Sequence, residues 1–198
     1  MDANAQSDET LFKRAGRGER YAAALLVERH TDKIYALCFR TLQNRASAED
    51  ATQETFLRLW KHAAKWHPTG AKPESWLYRV AMNICLDQLR KQKREAPEEA
   101  APERADDAPR QDDQVFAREK RTAVDAALAA LPDRQRVAIN LCHFQELTNI
   151  EAAQIMGVSV DALESLLARG RRALRDRLAP QRTILMGKMS DDRATTIN

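Results

Sequence analysis

In WLYRVAMNICLDQLRKQKR, residues 76–94, the side chains of Trp76, Arg79, Asn83, Asp87, Arg90 and Arg94 recur at helical spacing. They fall within an arc of about a hundred degrees on one helix face. An aromatic ring, an amide that both donates and accepts, and a row of cations is the chemistry that holds an unpaired nucleic-acid strand. Bases stack on the ring, the amide meets base edges, and the cations meet phosphate. Leu77, Val80, Ala81, Ile84 and Cys85 fall on the other side and give the helix a core face. A plain amphipathic helix needs that apolar face but not the combination opposite it.

A second constellation lies near the C-terminus. Ala153, Gly157, Leu163 and Leu166 have the relative spacing of a DNA-binding helix-turn-helix. A small residue lets two helices approach, glycine takes the positive φ of the tight turn, and two apolar residues pin the second helix. Ile150, Ile155, Met156 and Val158 are expected to complete its core. The second helix, from about Ser159 to Leu178, is expected to turn Leu163, Leu167, Gly170 and Leu174 inward. Asp161, Glu164, Ser165, Ala168, Arg169, Arg172 and Arg175 are left on or near the outside. Helices of this design set their N-terminal residues against base edges and later basic residues near phosphates.

These faces need helices to carry them, and the chain is written for helices throughout. Ala, Leu, Arg and Glu abound, six glycines are present, and no segment sustains a two-residue alternation. In AEDATQETFLRLWKHAAKW, Ala48, Thr52, Thr55, Phe56, Leu59, Trp60 and Ala63 trace an apolar stripe, with Ser47 as the expected N-cap. Its outer stripe holds Asp50, Gln53, Glu54, Leu57, Arg58 and Lys61, which on residue types alone reads as a solvated face. Tyr21, Leu25, Leu26, Ile34, Leu37, Cys38 and Leu42 supply further apolar faces, and HPTGAKPE, residues 67–74, breaks the chain between helices. Val124, Leu128 and Leu131, ending at Pro132, then Val137, Ile139 and Leu141, open the C-terminal part.

Charge divides the chain more sharply than its net +3 suggests. Residues 1–94 hold 17 basic and 11 acidic side chains (+6), residues 95–119 hold 3 and 9 (−6), and residues 120–198 hold 12 and 9 (+3). The middle stretch carries three of the seven prolines and almost no large apolar residue before Val115. It cannot bury enough surface to offset chain entropy, which predicts a flexible acidic linker. The expected architecture is all-α: two small helical domains at 1–94 and 120–179, the linker 95–119 between them, and a tail at 180–198.

Several function classes are excluded. No apolar run nears the roughly 20 residues that span a bilayer, and no signal sequence opens the chain, so a cytoplasmic protein is expected. Cys38, Cys85 and Cys142 stand far apart and are expected to be buried free thiols. No phosphate-cradling glycine motif occurs, and His30, His62, His67 and His143 show no ligand or triad spacing. No metal, no cofactor and no enzymatic activity are expected.

The order of these pieces resembles the extracytoplasmic-function group of the bacterial sigma-70 family. The resemblance is carried by AEDATQETFLRLW, WLYRVAMNICLDQLRKQKR, the acidic linker, LPDRQRVA and the terminal helix-turn-helix, over about residues 9–178. It implies a protein that binds core RNA polymerase and directs it to particular promoters. It assigns Asp50, Gln53, Glu54 and Leu57 to the polymerase clamp. It assigns Trp76, Arg79, Asn83, Asp87, Arg90 and Arg94 to the minus-ten element as single-stranded DNA, with Asn83 reading a flipped base, Asp87 beside it, and His67 to Lys72 shaping part of the pocket. Extruding a base costs a few kcal/mol, recovered by pocket hydrogen bonds and stacking.

By the same resemblance, Asp161, Glu164, Ser165, Ala168, Arg169 and Arg172 face the minus-thirty-five element as duplex. The family commonly has a basic residue at the positions of Glu164 and Leu166, and this sequence departs from that pattern. A carboxylate cannot pair with guanine acceptors but can accept from the cytosine amino group. The resemblance also implies a cognate anti-sigma protein, often membrane-anchored, and a stress or envelope response. The linker fits either a thread through the polymerase or a simple tether. The rival reading is a stand-alone helix-turn-helix regulator on duplex DNA, which leaves the Trp76 to Arg94 face without a role.

Overall fold

A computed structural model of the chain describes residues 6–63, 72–95 and 123–181. Helix α1, Asp8–Gly16, starts where the Ser7 hydroxyl accepts from the Thr10 amide and stops before Gly18, whose φ of 85° turns the chain. Helix α2, Arg20–Leu42, ends at Gln43 in the left-handed region, where the Gln43 amide still reaches the Phe39 carbonyl at 2.8 Å. Helix α3, Arg45–Ala63, follows at once, and helix α4, Pro73–Glu95, begins with proline in the first turn, where a missing N–H costs nothing. Leu26, Ile34 and Leu37 of α2, Leu59 of α3, and Leu77 and Ala81 of α4 are completely buried between these helices.

Helix α1 closes the group. Leu11 and Phe12 are fully buried, about 1.5–3 kcal/mol each by side-chain burial. Asp8 adds direction: it accepts from Arg29 Nη1 at 2.8 Å and lies 2.7 Å from Nε2 of the buried His30. A net hydrogen bond is worth about 1 kcal/mol, so apolar burial holds α1 and Asp8 sets how it lies.

In the C-terminal part, a helix over 123–129 (α5) leads past Pro132 into α6, Asp133–Ile139. Helix α6 runs on as a single π-helical turn, Asn140–Phe144. Helix α7, Asn149–Met156, opens with a complete capping box of Thr148 and Glu151, and α8, Val160–Leu178, opens on Ser159, whose hydroxyl accepts from the Ala162 amide. Gly170 lies where α8 packs closely against α6. A Cβ there would stand 3.1 Å from Ile139 Cγ1.

Every described element is helical, as the composition requires. The linker beyond Glu95, residues 67–71 and the tail beyond Gln181 lie outside the described residues. Buried residues of α1–α4 and of α5–α8 form one contiguous core, so the two helical groups pack against each other.

Five local expectations are corrected. Asn44, rather than Ser47, caps α3: its Oδ1 accepts from the Ser47 amide at 2.9 Å, because the helix begins at Arg45, ahead of the first apolar residue of the stripe, Ala48. Trp60, placed inward from its spacing, is 47% exposed; Ala51 fills the inner stripe instead. Tyr21 and Ile150, expected in the core, are 57% and 60% exposed. Both sit within two residues of a helix start, where a face has too few neighbours to be covered. Cys38 and Cys85 are buried free thiols as expected, whereas Cys142 is only half-buried.

Candidate nucleic-acid interface

Helix α4 is pinned by Leu77, Tyr78, Ala81, Met82, Ile84, Cys85 and Leu89, which are all buried. That leaves Arg79, Asn83, Asp87, Arg90 and Arg94 exposed along the opposite face, as their spacing requires. Trp76 joins them at the helix start but is half-buried. It stacks on His62 with ring centres 5.0 Å apart and meets Phe12 edge-on at 6.0 Å. The ring is thus held by α1 and α3, with one face stacked on His62. Asp87 and Arg90 hydrogen-bond each other at 3.1 Å. Asn83 has no side-chain hydrogen bond among the described residues, so its donor and acceptor both remain available.

Arg79 has a different neighbour. Its Nη2 donates to the Gln154 carbonyl at 2.8 Å, in the last turn of α7, where that carbonyl also accepts from the Gly157 amide at 3.3 Å. Next to it, the Tyr78 hydroxyl shares its one proton between Gln145 Oε1 at 3.0 Å and Glu74 Oε1 at 3.2 Å. Burial, reinforced by the Glu74 carboxylate, pushes the Tyr78 phenol above its ordinary range, so it remains a donor. Lys93 pairs with Asp133, Lys72 with Glu151, and Asn140 Nδ2 donates to the Leu37 carbonyl at 3.0 Å and the Thr41 hydroxyl at 3.3 Å. Arg40 lies 4.4 Å over the Phe144 ring. The π-helical turn carries Asn140 and Phe144 together onto α2. Tyr78 and Asn140 are the residues that sequence reasoning missed here. A tyrosine within an apolar run and an asparagine in a helix give no signal until the partner helix is in place.

On α3, Asp50, Gln53 and Leu57 are exposed and Glu54 half-buried, with Glu54 bonded to Arg58 at 2.8 Å. Leu57, 44% exposed, stands one turn from the exposed Trp60, so two large apolar side chains share this outer face with the acids. Trp60 is the member that spacing assigned to the core.

In the helix-turn-helix, Gly157 has φ 62° and ψ 42°. A Cβ there would meet nothing within 4 Å, so backbone conformation rather than crowding calls for glycine. Ala153, Leu163 and Leu167 are buried and Leu166 is partly so. Asp161, Glu164, Ser165, Ala168, Arg169 and Arg172 all lie exposed on α8. Arg169 Nε donates back to the Ser165 carbonyl at 3.3 Å, and Glu164 Oε1 accepts from Asn149 Nδ2 at 3.1 Å. Among the described residues no cluster of His, Cys, Asp and Glu could hold a metal, and no helix is long and apolar enough to cross a membrane.

These two exposed faces coincide with two family matches. Sigma-70 region 2 matches residues 26–95, and Sigma-70, region 4, matches residues 121–174. The ECF RNA polymerase sigma factor SigW of Bacillus subtilis is 32% identical over 177 residues, covering 84% of this chain and 94% of SigW. SigE of Mycolicibacterium smegmatis, another ECF sigma factor, is 37% identical over 159 residues, covering 78% of this chain and 60% of SigE. In fold, the chain is similar to the sigma factor RpoE of Bartonella quintana, solved with the anti-sigma factor NepR. The TM-score is 0.67 at 23% identity, covering 79% of this chain and 96% of that one. It is also similar to CnrH, solved with the cytosolic domain of CnrY, with a TM-score of 0.66 at 24% identity over 88% and 99% of the two chains. The class is therefore a sigma-70 protein carrying regions 2 and 4. Within it, the chain belongs to the ECF RNA polymerase sigma factors, initiation factors that bind core RNA polymerase and promoter DNA.

Proposed function

We propose that this sigma factor divides promoter recognition between its two exposed faces. Residues 1–94 form the unit that grips polymerase and the opened strand, residues 120–179 the unit that holds intact duplex upstream, and residues 95–119 the tether between them. On α4, Asn83 reads an extruded minus-ten base, with Asp87 beside it and Arg79, Arg90 and Arg94 meeting the backbone. Trp76, held by His62 and Phe12, forms a fixed wall of the pocket. On α3, Asp50, Gln53, Glu54 and Leu57 meet the polymerase clamp, and the exposed Trp60 extends that contact. On α8, Asp161, Glu164, Ser165, Ala168, Arg169 and Arg172 enter the major groove at the minus-thirty-five element.

The observation that carries this reading is Asn83. It is exposed in the middle of a helix whose other face is fully packed, with no side-chain hydrogen bond among the described residues and with Asp87, Arg90 and Arg94 along the same side. A protein of this kind works in the cytoplasm as an initiation factor and not as an enzyme. Control by a cognate anti-sigma protein is supported by the folds it resembles, which were solved with the anti-sigma factor NepR and with CnrY. In the arrangement described above, Arg79 and Tyr78 are occupied by the C-terminal helices. Loading onto polymerase would have to release them.

The test is transcription from a promoter library by core polymerase with the purified full chain. Specific transcripts are expected with no other sigma factor present; a free-standing regulator would give none. Reversing charge on α3, Asp50→Lys with Glu54→Lys, should weaken core binding at least tenfold, since like-charge juxtaposition across an interface costs several kcal/mol. Unchanged affinity would remove the clamp role from that face.

A further inference from the structure

The Glu164 side chain is held from outside its own helix. Asn149, the first residue of α7, is half-buried and donates through Nδ2 to Glu164 Oε1 at 3.1 Å. The other end of the same amide is also engaged: Cys142 Sγ lies 3.9 Å from Asn149 Oδ1, with the thiol as donor. Burial pushes the Cys142 thiol up, which keeps its proton in place. The amide is thereby oriented with its nitrogen toward Glu164. Glu164 itself is exposed in the second turn of α8, and its Oε2 has no hydrogen-bond partner among the described residues.

Two explanations compete for an acid on this helix. A solvated carboxylate would only repel phosphate, and nothing in α7 would need to hold it. A carboxylate fixed from behind, with one oxygen left free, is built to accept a hydrogen bond at a set place. In the major groove only two base edges offer an amino donor. Adenine N6 stands beside the N7 acceptor, which repels a carboxylate, whereas cytosine N4 has no acceptor next to it on that edge. We propose that Glu164, positioned by Asn149, selects a cytosine in the upstream duplex element by accepting from its N4 amino group. This rests on the reading of α8 as the duplex-recognition helix. Glu164 is the specificity-determining residue; Asn149 is a positioning residue that touches no base.

The experiment uses the full chain with core polymerase on promoters randomised through the upstream element, sequencing the templates that form open complexes. Wild type is expected to prefer cytosine at one position by roughly tenfold. Glu164→Gln should move the preference at that position to adenine, whose N6 and N7 a Gln amide pairs together, and Glu164→Arg should move it to guanine. Asn149→Ala should keep cytosine as the preferred base but shrink the preference severalfold. Preferences at the other positions serve as the internal reference, and thermal melting of each variant checks the fold. The proposal is overturned if Glu164→Gln and Glu164→Arg, folded as wild type, change the use of all upstream sequences alike. If wild type shows no upstream preference at all while keeping its minus-ten preference, the duplex reading fails and this proposal fails with it.

Discussion

Helices α4 and α8 are both amphipathic, both basic on the outside and nearly equal in length, yet they stand in opposite relations to the rest of the molecule. The outer face of α8 is open over its first turns, where Asn149 bonds to Glu164 from within the same helix-turn-helix; near the helix end Arg177 Nη2 donates to the Ala130 carbonyl at 3.4 Å. The face of α4 is split. Asn83, Asp87, Arg90 and Arg94 are exposed; Arg79, also exposed, bonds to Gln154 of α7, and the buried Tyr78 beside it bonds to Gln145. The face of α8 proposed to read duplex DNA is exposed with the helical groups packed as they are. A separated strand along the whole of α4 cannot, because one of its cations already neutralises a helix C-terminus. In the proposed reading, the same arginine chemistry serves nucleic acid in one arrangement and intramolecular packing in the other.

The comparison can be broken most directly at Gly170. Gly170→Leu drives a side chain into Ile139, where even a Cβ stands at 3.1 Å. A cost of about 3 kcal/mol, high in the overpacking range, is expected. Upstream duplex protection should vanish while core binding through α3 persists, read by footprinting and by a core-binding assay. Equal loss of both would mean that the two groups fold as one inseparable unit. Next in size is Asn83→Ala, expected to cost about 2 kcal/mol of promoter opening through lost base hydrogen bonds. Permanganate reactivity of the melted region reads this, and core affinity should not change.

A smaller effect sharpens the contrast. Gln145→Met removes the interdomain acceptor of Tyr78, which keeps its bond to Glu74. About 1 kcal/mol is expected, seen as faster hydrogen exchange in α7 with strand binding undiminished. Slower promoter opening in this variant would contradict the competition between packing and DNA.

The smallest change lies away from both faces. The Asp8 carboxyl sits below its ordinary 3.8, chiefly because His30 hydrogen-bonds it, with Arg29 adding to this and burial opposing it. A lowered folded value means stabilisation that is complete above pH 3.8 and lost as pH falls through the folded pKa. Asp8→Asn should cost about 1 kcal/mol or less at neutral pH and give a urea midpoint that declines less below pH 4 than that of wild type. Both DNA activities should be retained.

The inner faces of α3, α4 and α8 were legible in the sequence because burial follows helical period: Leu59, Leu77, Ala81, Leu163 and Leu167 are all where their spacing puts them. The turn at Gly157 was legible because a left-handed backbone favours one residue type. Trp60, Tyr21 and Ile150 were not. Periodicity records that a residue is apolar, not whether a neighbouring helix reaches it, and near helix ends or on the rim of a stripe that neighbour is missing. The cap of α3 went to Asn44 instead of Ser47 since either side chain can accept an amide, and the first residue to bend into helix decides.

By itself, the sequence determined that this chain is helical, which sides of its long helices turn inward, and where cations, amide and aromatic ring share a face, because those follow from composition and a period of 3.6 residues. Only the tertiary structure decided which exposed groups are already taken. The bonds of Arg79 to Gln154, Asn140 to Leu37 and Asn149 to Glu164 join residues 75, 103 and 15 positions apart. Short-range hydrogen bonds between groups brought together by folding leave no periodic trace along the chain.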